Sequence, residues 1–374
     1  MEKCNITLIN KSKVNPILLK NVSVLKTGNT NNVIVSSNNF DATKQLFSKL
    51  NLQFSSYPFA NCFCVGINLK DLIELSQEKS INYIDPCVKV FAEQKQQDSI
   101  NLAKLTENRF YGDGQTICFI DTGIYPHIDF IFPKCRLVKF IDLVNHHHQP
   151  YDDNGHGTFV AGIATGAGII DKKHIGFAPL ANIVSIKALG ESGTSDSNII
   201  LDAMQWVYEN HKKYNISVVC MSFGADILNQ NDPLARGADV LWKTGLTVVA
   251  AAGNSGPESS TIKSPGSNPN IITVGGYDEN TMQIADFSSR GPTIFGYKPD
   301  LVAPAVDVVA CGIDKPYTIM SGTSVATPIV AGICAIIKSK FPNITNNQIK
   351  RYLLSNCELM TGDKNSEGAG FLKF

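Results

Sequence analysis

Thr116-Ile-Cys-Phe-Ile-Asp121-Thr-Gly123 is a short run, apolar on both faces, that ends in a carboxylate followed by two small residues. Runs of this kind belong in parallel sheets that carry helices on both sides. The texture recurs at residues 183–189, 217–223, 246–252 and 271–275, separated by stretches with helical spacing. The expected fold is therefore α/β, a doubly wound and mostly parallel sheet. In such sheets ligands bind outside the carboxyl ends of the strands, which makes Asp121 the residue from which to search for a site.

Upstream the texture differs. Residues 1–95 read as a small α+β unit with a strand at 32–36, a helix at 41–50, a strand pair over 52–69, a helix at 70–79 and a strand at 81–91. That β-α-β-β-α-β order is the ferredoxin-like, split β-α-β arrangement. The polar stretch Glu93-Gln-Lys-Gln-Gln-Asp-Ser99 reads as a linker. The expected domains are thus 1–95 and 96–374.

Composition narrows the function classes. Of 374 residues 43% are apolar and 18% charged, as in an ordinary globular protein, and 33 basic residues balance 33 acidic ones. A net charge of zero lacks the electrostatic footprint of a nucleic-acid or anionic-membrane binder. No run approaches the roughly 18 apolar residues of a membrane span. The N-terminal residues lack the apolar core of a secretory signal, so the expected location is cytoplasmic. The ten cysteines are scattered through apolar runs and read as reduced, buried thiols. Cys62-Phe-Cys64 places two sulfurs on one strand face, but no second pair follows at zinc-site spacing.

Four short stretches carry chemistry. Asp121 closes a strand; such an aspartate also serves as a loop cap or metal ligand. In Asn154-Gly-His156-Gly-Thr158 a histidine stands between glycines at a helix start, and the plainer alternative is a solvated residue beside a helix cap. In Met320-Ser-Gly-Thr-Ser324-Val-Ala-Thr-Pro328 a serine precedes an apolar helix, where an N-cap role competes with a nucleophilic one. Ala251-Ala-Gly253-Asn254 ends a strand in an amide able to donate to an oxyanion. Taken together these are a nucleophile, a base, an orienting carboxylate and an oxyanion donor, the set that acyl transfer requires. The order Asp, His, Ser differs from the Ser, acid, His order of α/β-hydrolases, and Ala326 stands where their elbow has glycine.

These stretches, with Met221-Ser-Phe-Gly224, resemble the subtilisin-like serine proteases, the subtilases, of the intracellular bacterial type, over residues 100–374. The resemblance implies a serine endopeptidase in which Ser324 attacks a peptide carbonyl, His156 moves the proton, Asp121 orients the imidazole and Asn254 binds the oxyanion. It implies a polypeptide substrate held as an extended strand between Ser192-Gly193-Thr194 and Ser222-Phe223-Gly224. It also implies a specificity pocket bordered by Gly253 and floored at Lys263, a side chain that alternatively reaches outward to water. Residues 1–95 resemble the family's inhibitory propeptide, which assists folding and leaves its tail in the active site. Self-cleavage is then expected near Glu93-Gln94, with an acidic residue before the scissile bond opposite Lys263.

Phe159 and Val325 replace a histidine and a methionine common in the family, at positions that do no chemistry. No cofactor is needed for the reaction. Asp129 matches a family calcium ligand, but residues 165–176 lack the asparagine-rich loop that completes that site, so no metal is assigned. His146-His-His148 reads as a polar surface loop. The alternative function is a catalytically silent subtilase that binds peptides or regulates a partner.

Overall fold

The computed structural model describes residues 8–20, 30–92, 111–227 and 231–372. The expected domain boundary, the linker and the Glu93-Gln94 bond lie outside the described residues.

The first unit follows the order read from the sequence: strand β1 (Asn31–Ser37), helix Phe40–Lys49, β2 (Phe54–Tyr57), β3 (Cys62–Ile67), helix Leu69–Gln77 and β4 (Ile81–Pro86). The strands form an antiparallel sheet in the order β2-β3-β1-β4. The first helix starts where Asn39 caps the Ala42 amide, the second at a capping box between Asn68 and Asp71. Alternation along the strands sorts the core. Val33, Val35, Phe63 and Val65 face the unit's own helices, whereas Ile34, Cys62 and Cys64 join the core of the second unit.

One expectation needs correcting. The strand read at 81–91 is two strands in two sheets, β4 and β5 (Lys89–Ala92). Pro86 has no N–H to continue a ladder, and beyond Cys87-Val88 the chain leaves the first sheet and pairs with the second unit. The alternation of apolar residues runs through the break and hides it.

In the second unit, β6 (Thr116–Asp121), β7 (Leu137–Asp142), β8 (Asn182–Lys187), β10 (Ile216–Met221), β12 (Thr247–Ala251), β13 (Ile272–Asp278) and β15 (Leu301–Pro304) pair in parallel. The ten-stranded sheet runs β18-β19-β15-β13-β12-β10-β6-β8-β7, with β14 (Gln283–Ile284) paired to β13, and with β18 (Cys357–Glu358) and β19 (Phe371–Leu372) at one edge. Helices His156–Thr165 and Thr323–Lys340 pack together against the strands, and helices Ser197–Asn210 and Pro233–Lys243 pair as well. The fold is mixed α/β with a central, mostly parallel sheet. A small hairpin, β16 (Val308–Cys311) and β17 (Tyr317–Met320), delivers the chain to Ser324.

The sheet of the first unit rests on helices Ser197–Asn210 and Pro233–Lys243. Phe59 meets Tyr208 ring to ring at 5.8 Å, Arg236 donates to Ser36 Oγ at 2.7 Å, and Tyr57 shares the buried core with Ile200 and Leu201. Both faces of that sheet are therefore covered, which explains why β1 and β3 are buried along nearly their whole length.

Candidate active site

Asp121 and His156 meet at the carboxyl end of β6. The imidazole Nδ1 lies 2.7 Å from Asp121 Oδ1, and both side chains are 1% exposed. A carboxylate only accepts, so Nδ1 carries the proton and Nε2 is the basic nitrogen. His156 opens its helix, and Gly157 lets that helix approach: a Cβ on Gly157 would sit 2.2 Å from the Gly123 carbonyl oxygen. The loop is knitted to the strand tip. Thr122 Oγ1 donates to Asp152 Oδ1 at 2.8 Å and accepts from the Gly157 amide at 2.8 Å, while Asp152 Oδ2 accepts from the Thr158 amide and hydroxyl.

Beneath this pair lies a fully buried lysine, which in the sequence looks like no more than an ordinary strand end. Lys187 pairs in register with Asp121 across β6 and β8. Its ammonium donates to the Thr122 carbonyl at 2.7 Å, to Asp153 Oδ1 at 2.6 Å and to the Leu189 carbonyl at 3.1 Å. It thus ties the residue after Asp121 to the loop before His156 and to the segment that follows β8.

Ser324 lies in the first turn of helix Thr323–Lys340, buried, on a helix that packs against the one beginning at His156. The preceding residue is clamped to Asn254: the Thr323 amide and hydroxyl donate to Asn254 Oδ1 at 2.9 and 3.0 Å. An amide N–H can only donate, so the oxygen must face Thr323 and Nδ2 must point away. Nδ2 is buried and has no hydrogen-bond partner among the described residues. A buried, preoriented donor without a partner is suited to a developing negative charge.

The two segments expected from the sequence as substrate edges lie on either side of one strand of the first unit. β5 pairs antiparallel with β9 (Thr194–Asp196) on one side and with β11 (Phe223–Gly224) on the other. The Ala92 amide donates to the Gly193 carbonyl at 2.6 Å, and Ala92 stands opposite Phe223. Ser222, just before β11, is buried. β5 fills the space between these two segments, and a separate cavity of about 590 Å³ is lined by Arg236, Ile262, Asn268 and Phe295.

Lys263 takes neither of its expected settings in pure form. Its stem crosses Gly253, where an added Cβ would stand 2.4 Å from Lys263 Cγ, so the side chain lies one residue from Asn254. Its ammonium, however, pairs with Asp226 Oδ1 at 2.5 Å. Asp226 carries no signal in the sequence, because the two residues come together only through the bridge between Ala225 and Ser264.

The setting of Asp129 does not fit calcium. Calcium takes six to eight oxygen ligands, but the carboxylate is surrounded by donors: the Gly168 and Ile169 amides at 2.9 and 3.0 Å, the Tyr317 hydroxyl at 3.1 Å and the Cys311 thiol at 3.7 Å. The Arg136 guanidinium is bonded to the Asp129 carbonyl alongside. His127, Asp129 and Cys311 do bring three ligand types within 4.8 Å. Yet His127 Nδ1 accepts the Asp129 amide, and burial pushes the Cys311 thiol well above its ordinary range. His146–His148 are exposed, as expected.

Among the described residues no helix is long and apolar enough to cross a membrane. The subtilase family model matches residues 112–370. Serine protease AprX of Bacillus subtilis (strain 168) is 39% identical over 289 residues, covering 69% of this chain and 65% of AprX. Subtilisin DY of Bacillus licheniformis is 32% identical over 277 residues, covering 73% of this chain and 94% of that protein. Among solved structures, fervidolysin from Fervidobacterium pennivorans, described as a keratinolytic enzyme related to subtilisin, superposes with a TM-score of 0.72 at 18% identity. It covers 96% of this chain, which spans 62% of fervidolysin. The chain thus spans just under two thirds of the length of both AprX and fervidolysin.

Proposed function

The chain belongs to the subtilase family, and on that premise we propose that it is a serine endopeptidase held silent by its own first unit. The observation that carries the reading is the buried 2.7 Å bond between His156 and Asp121, on a helix packed against the one that starts at Ser324. In the proposed reaction Ser324 Oγ attacks a peptide carbonyl while His156 Nε2 takes its proton. The imidazolium then protonates the leaving amine, and water repeats the sequence to hydrolyse the acyl-enzyme. Asp121 fixes the tautomer and stabilises the imidazolium. Asn254 Nδ2 and the Ser324 amide hold the oxyanion.

Substrates bind as an extended strand between Gly193–Asp196 and Ser222–Gly224, where β5 now lies. β5 supports a propeptide reading of residues 1–95, as a ferredoxin-like inhibitory domain ahead of a catalytic domain over 96–374. Glu93, which follows Ala92 directly, is then the acyl donor in self-cleavage at Glu93-Gln94. Lys263, at the pocket beside Gly253, favours an acidic side chain there in exchange for Asp226. Ser324, His156, Asp121 and Asn254 form the catalytic set; Gly193, Ser222, Phe223, Gly224, Gly253 and Lys263 line the substrate path. The enzyme acts in the cytoplasm.

A fluorophosphonate probe tests the activity directly. Applied after self-processing and dilution, which free the cleft, it should label the wild-type chain at Ser324 and leave Ser324→Ala, treated alike, unlabelled. Equal labelling of the two, or none of the wild type, refutes the reading, and the intact mass of each reports the cut site.

A further inference from the structure

None of the ten cysteines enters the chemistry above, yet two of them meet. Cys64, on β3, and Cys87, in the link between β4 and β5, bring their sulfurs to 4.0 Å. Cys87 also donates its S–H to Asn198 Oδ1 at 3.7 Å. Asn198 lies in the first turn of helix Ser197–Asn210, in the second unit. The next residue is bound to the same turn: the Val88 amide donates to Ser197 Oγ at 3.1 Å, and the Ser197 amide to the Val88 carbonyl at 2.8 Å. One residue further on, β5 enters the cleft. The sulfur pair therefore stands where the first unit hands its strand to the second.

The two thiols are unequal. Cys87 is half-buried and accepts the S–H of Cys64, which holds its thiol below the ordinary range, whereas that donation and burial push Cys64 up. Burial pushes the Cys118, Cys220 and Cys334 thiols up as well, and among the described residues none of them shows a thiol–thiol contact like that of this pair. A partly exposed, lowered thiol beside a second thiol is the arrangement of an attacking and a resolving cysteine.

We propose that Cys64 and Cys87 are a disulfide-forming modification site, oxidised by low-molecular-weight disulfides, and that closing it loosens the docking of residues 88–92 in the cleft. The Cys87 thiolate attacks a disulfide R–S–S–R, forms a mixed disulfide and expels one R–S⁻. Cys64, giving up its proton, attacks the Cys87 sulfur and expels the second. Two protein thiols are oxidised, one small disulfide is reduced to two thiols, and the two protons end on those thiols.

The direction follows from linkage. Docking gives the dithiol a hydrogen bond to Asn198 that the disulfide, having no hydrogen, does not make. Docking thus favours the reduced pair, and by reciprocity oxidation disfavours docking by the same factor. Geometry acts in the same sense. The sulfurs must close from 4.0 Å to about 2.05 Å, which draws Cys87 toward β3 and off the helix. The effect on activity rests on the inhibitory reading of the first unit; the bond and the docking change do not.

The test uses the full-length Ser324→Ala chain, which keeps the first unit attached, with oxidised glutathione as the probe. Peptide mapping should find Cys64 linked to Cys87, about 2 Da lighter than the two reduced peptides, and amide exchange across residues 89–92 should quicken about tenfold, within the usual range of coupled sites. Cys87→Ser, which keeps a donor for Asn198, should show neither change. Absence of the linked peptide, or a linked peptide with unchanged exchange, overturns the proposal. In the active chain oxidation should raise peptidase activity. Faster exchange with unaltered activity would uphold the dithiol site and overturn the inhibitory reading instead.

Discussion

The Ala92 amide donates to the Gly193 carbonyl across 2.6 Å, so the last described residue of the first unit occupies a hydrogen-bonding position on the segment of the second that the proposed function assigns to substrate. Ala92→Pro removes that donor and forces a ring against the edge. Self-processing, followed as the loss of full-length chain on a gel, should slow by at least about tenfold, while hydrolysis of a small peptide by already processed enzyme is unchanged.

Asn254→Ala removes the side-chain donor held beside Thr323 without touching the Asp121–His156 bond. The loss should appear in kcat, with KM nearly constant, by roughly 10²–10³, the magnitude known for the oxyanion donor of the related enzyme subtilisin and carried over from it. Equal losses in kcat and in the binding of a substrate-like inhibitor would argue for a structural role.

Lys187 and Asp153 form a pair whose lysine is fully buried and whose aspartate is 29% exposed. Lys187→Met strips the Thr122 and Leu189 carbonyls of their donor and leaves Asp153 unpaired. Urea unfolding should show a loss of about 2–4 kcal/mol, and Asp153→Asn added to Lys187→Met should recover part of it. Strictly additive losses would contradict the coupling.

Asp226 is 73% exposed, so its hold on Lys263 is weak and screened by salt. Asp226→Asn should raise kcat/KM for peptides with Glu before the scissile bond by about 2–5-fold over those with Phe. Lys263→Gly should reverse the preference. The ratio measured at low and high salt separates the charge effect from a change in pocket shape, which salt leaves alone.

Asp202 stands beneath the docked first unit, and burial pushes its carboxyl above the ordinary range, while the Tyr57 hydroxyl pulls it partly back. The docked state therefore holds a proton more tightly than the separated one. Docking strengthens as pH falls through the raised value and weakens above it. After cleavage, gel filtration should find more of the first unit retained at about pH 5 than at about pH 7.5, and Asp202→Asn should flatten the difference.

The residues that meet in the site were legible one by one, because each belongs to a local signature: Asp121 at a strand tip, His156 between glycines, Ser324 before an apolar helix, Asn254 after a strand. The central sheet was legible for the same reason, since a strand apolar on both faces has few places to go. What escaped the sequence is whatever depends on long-range pairing. Asp226 finds Lys263 across 37 positions, Lys187 meets Asp153 across 34, and Cys87 meets Cys64 through a bend that the unbroken alternation at 81–91 conceals.

β5 is part of the same chain as the cleft it fills, so while the chain is whole its occupancy is independent of how dilute the protein is. A tethered segment faces its site at an effective concentration of order millimolar, and a substrate arriving from solution competes against that figure. One cut converts the contest into an ordinary bimolecular one, in which the freed unit must rebind at whatever concentration the protein has. On the inhibitory reading, dilution then becomes a variable that matters only after the cut: the same cleaved preparation should be quiet when concentrated and active when dispersed.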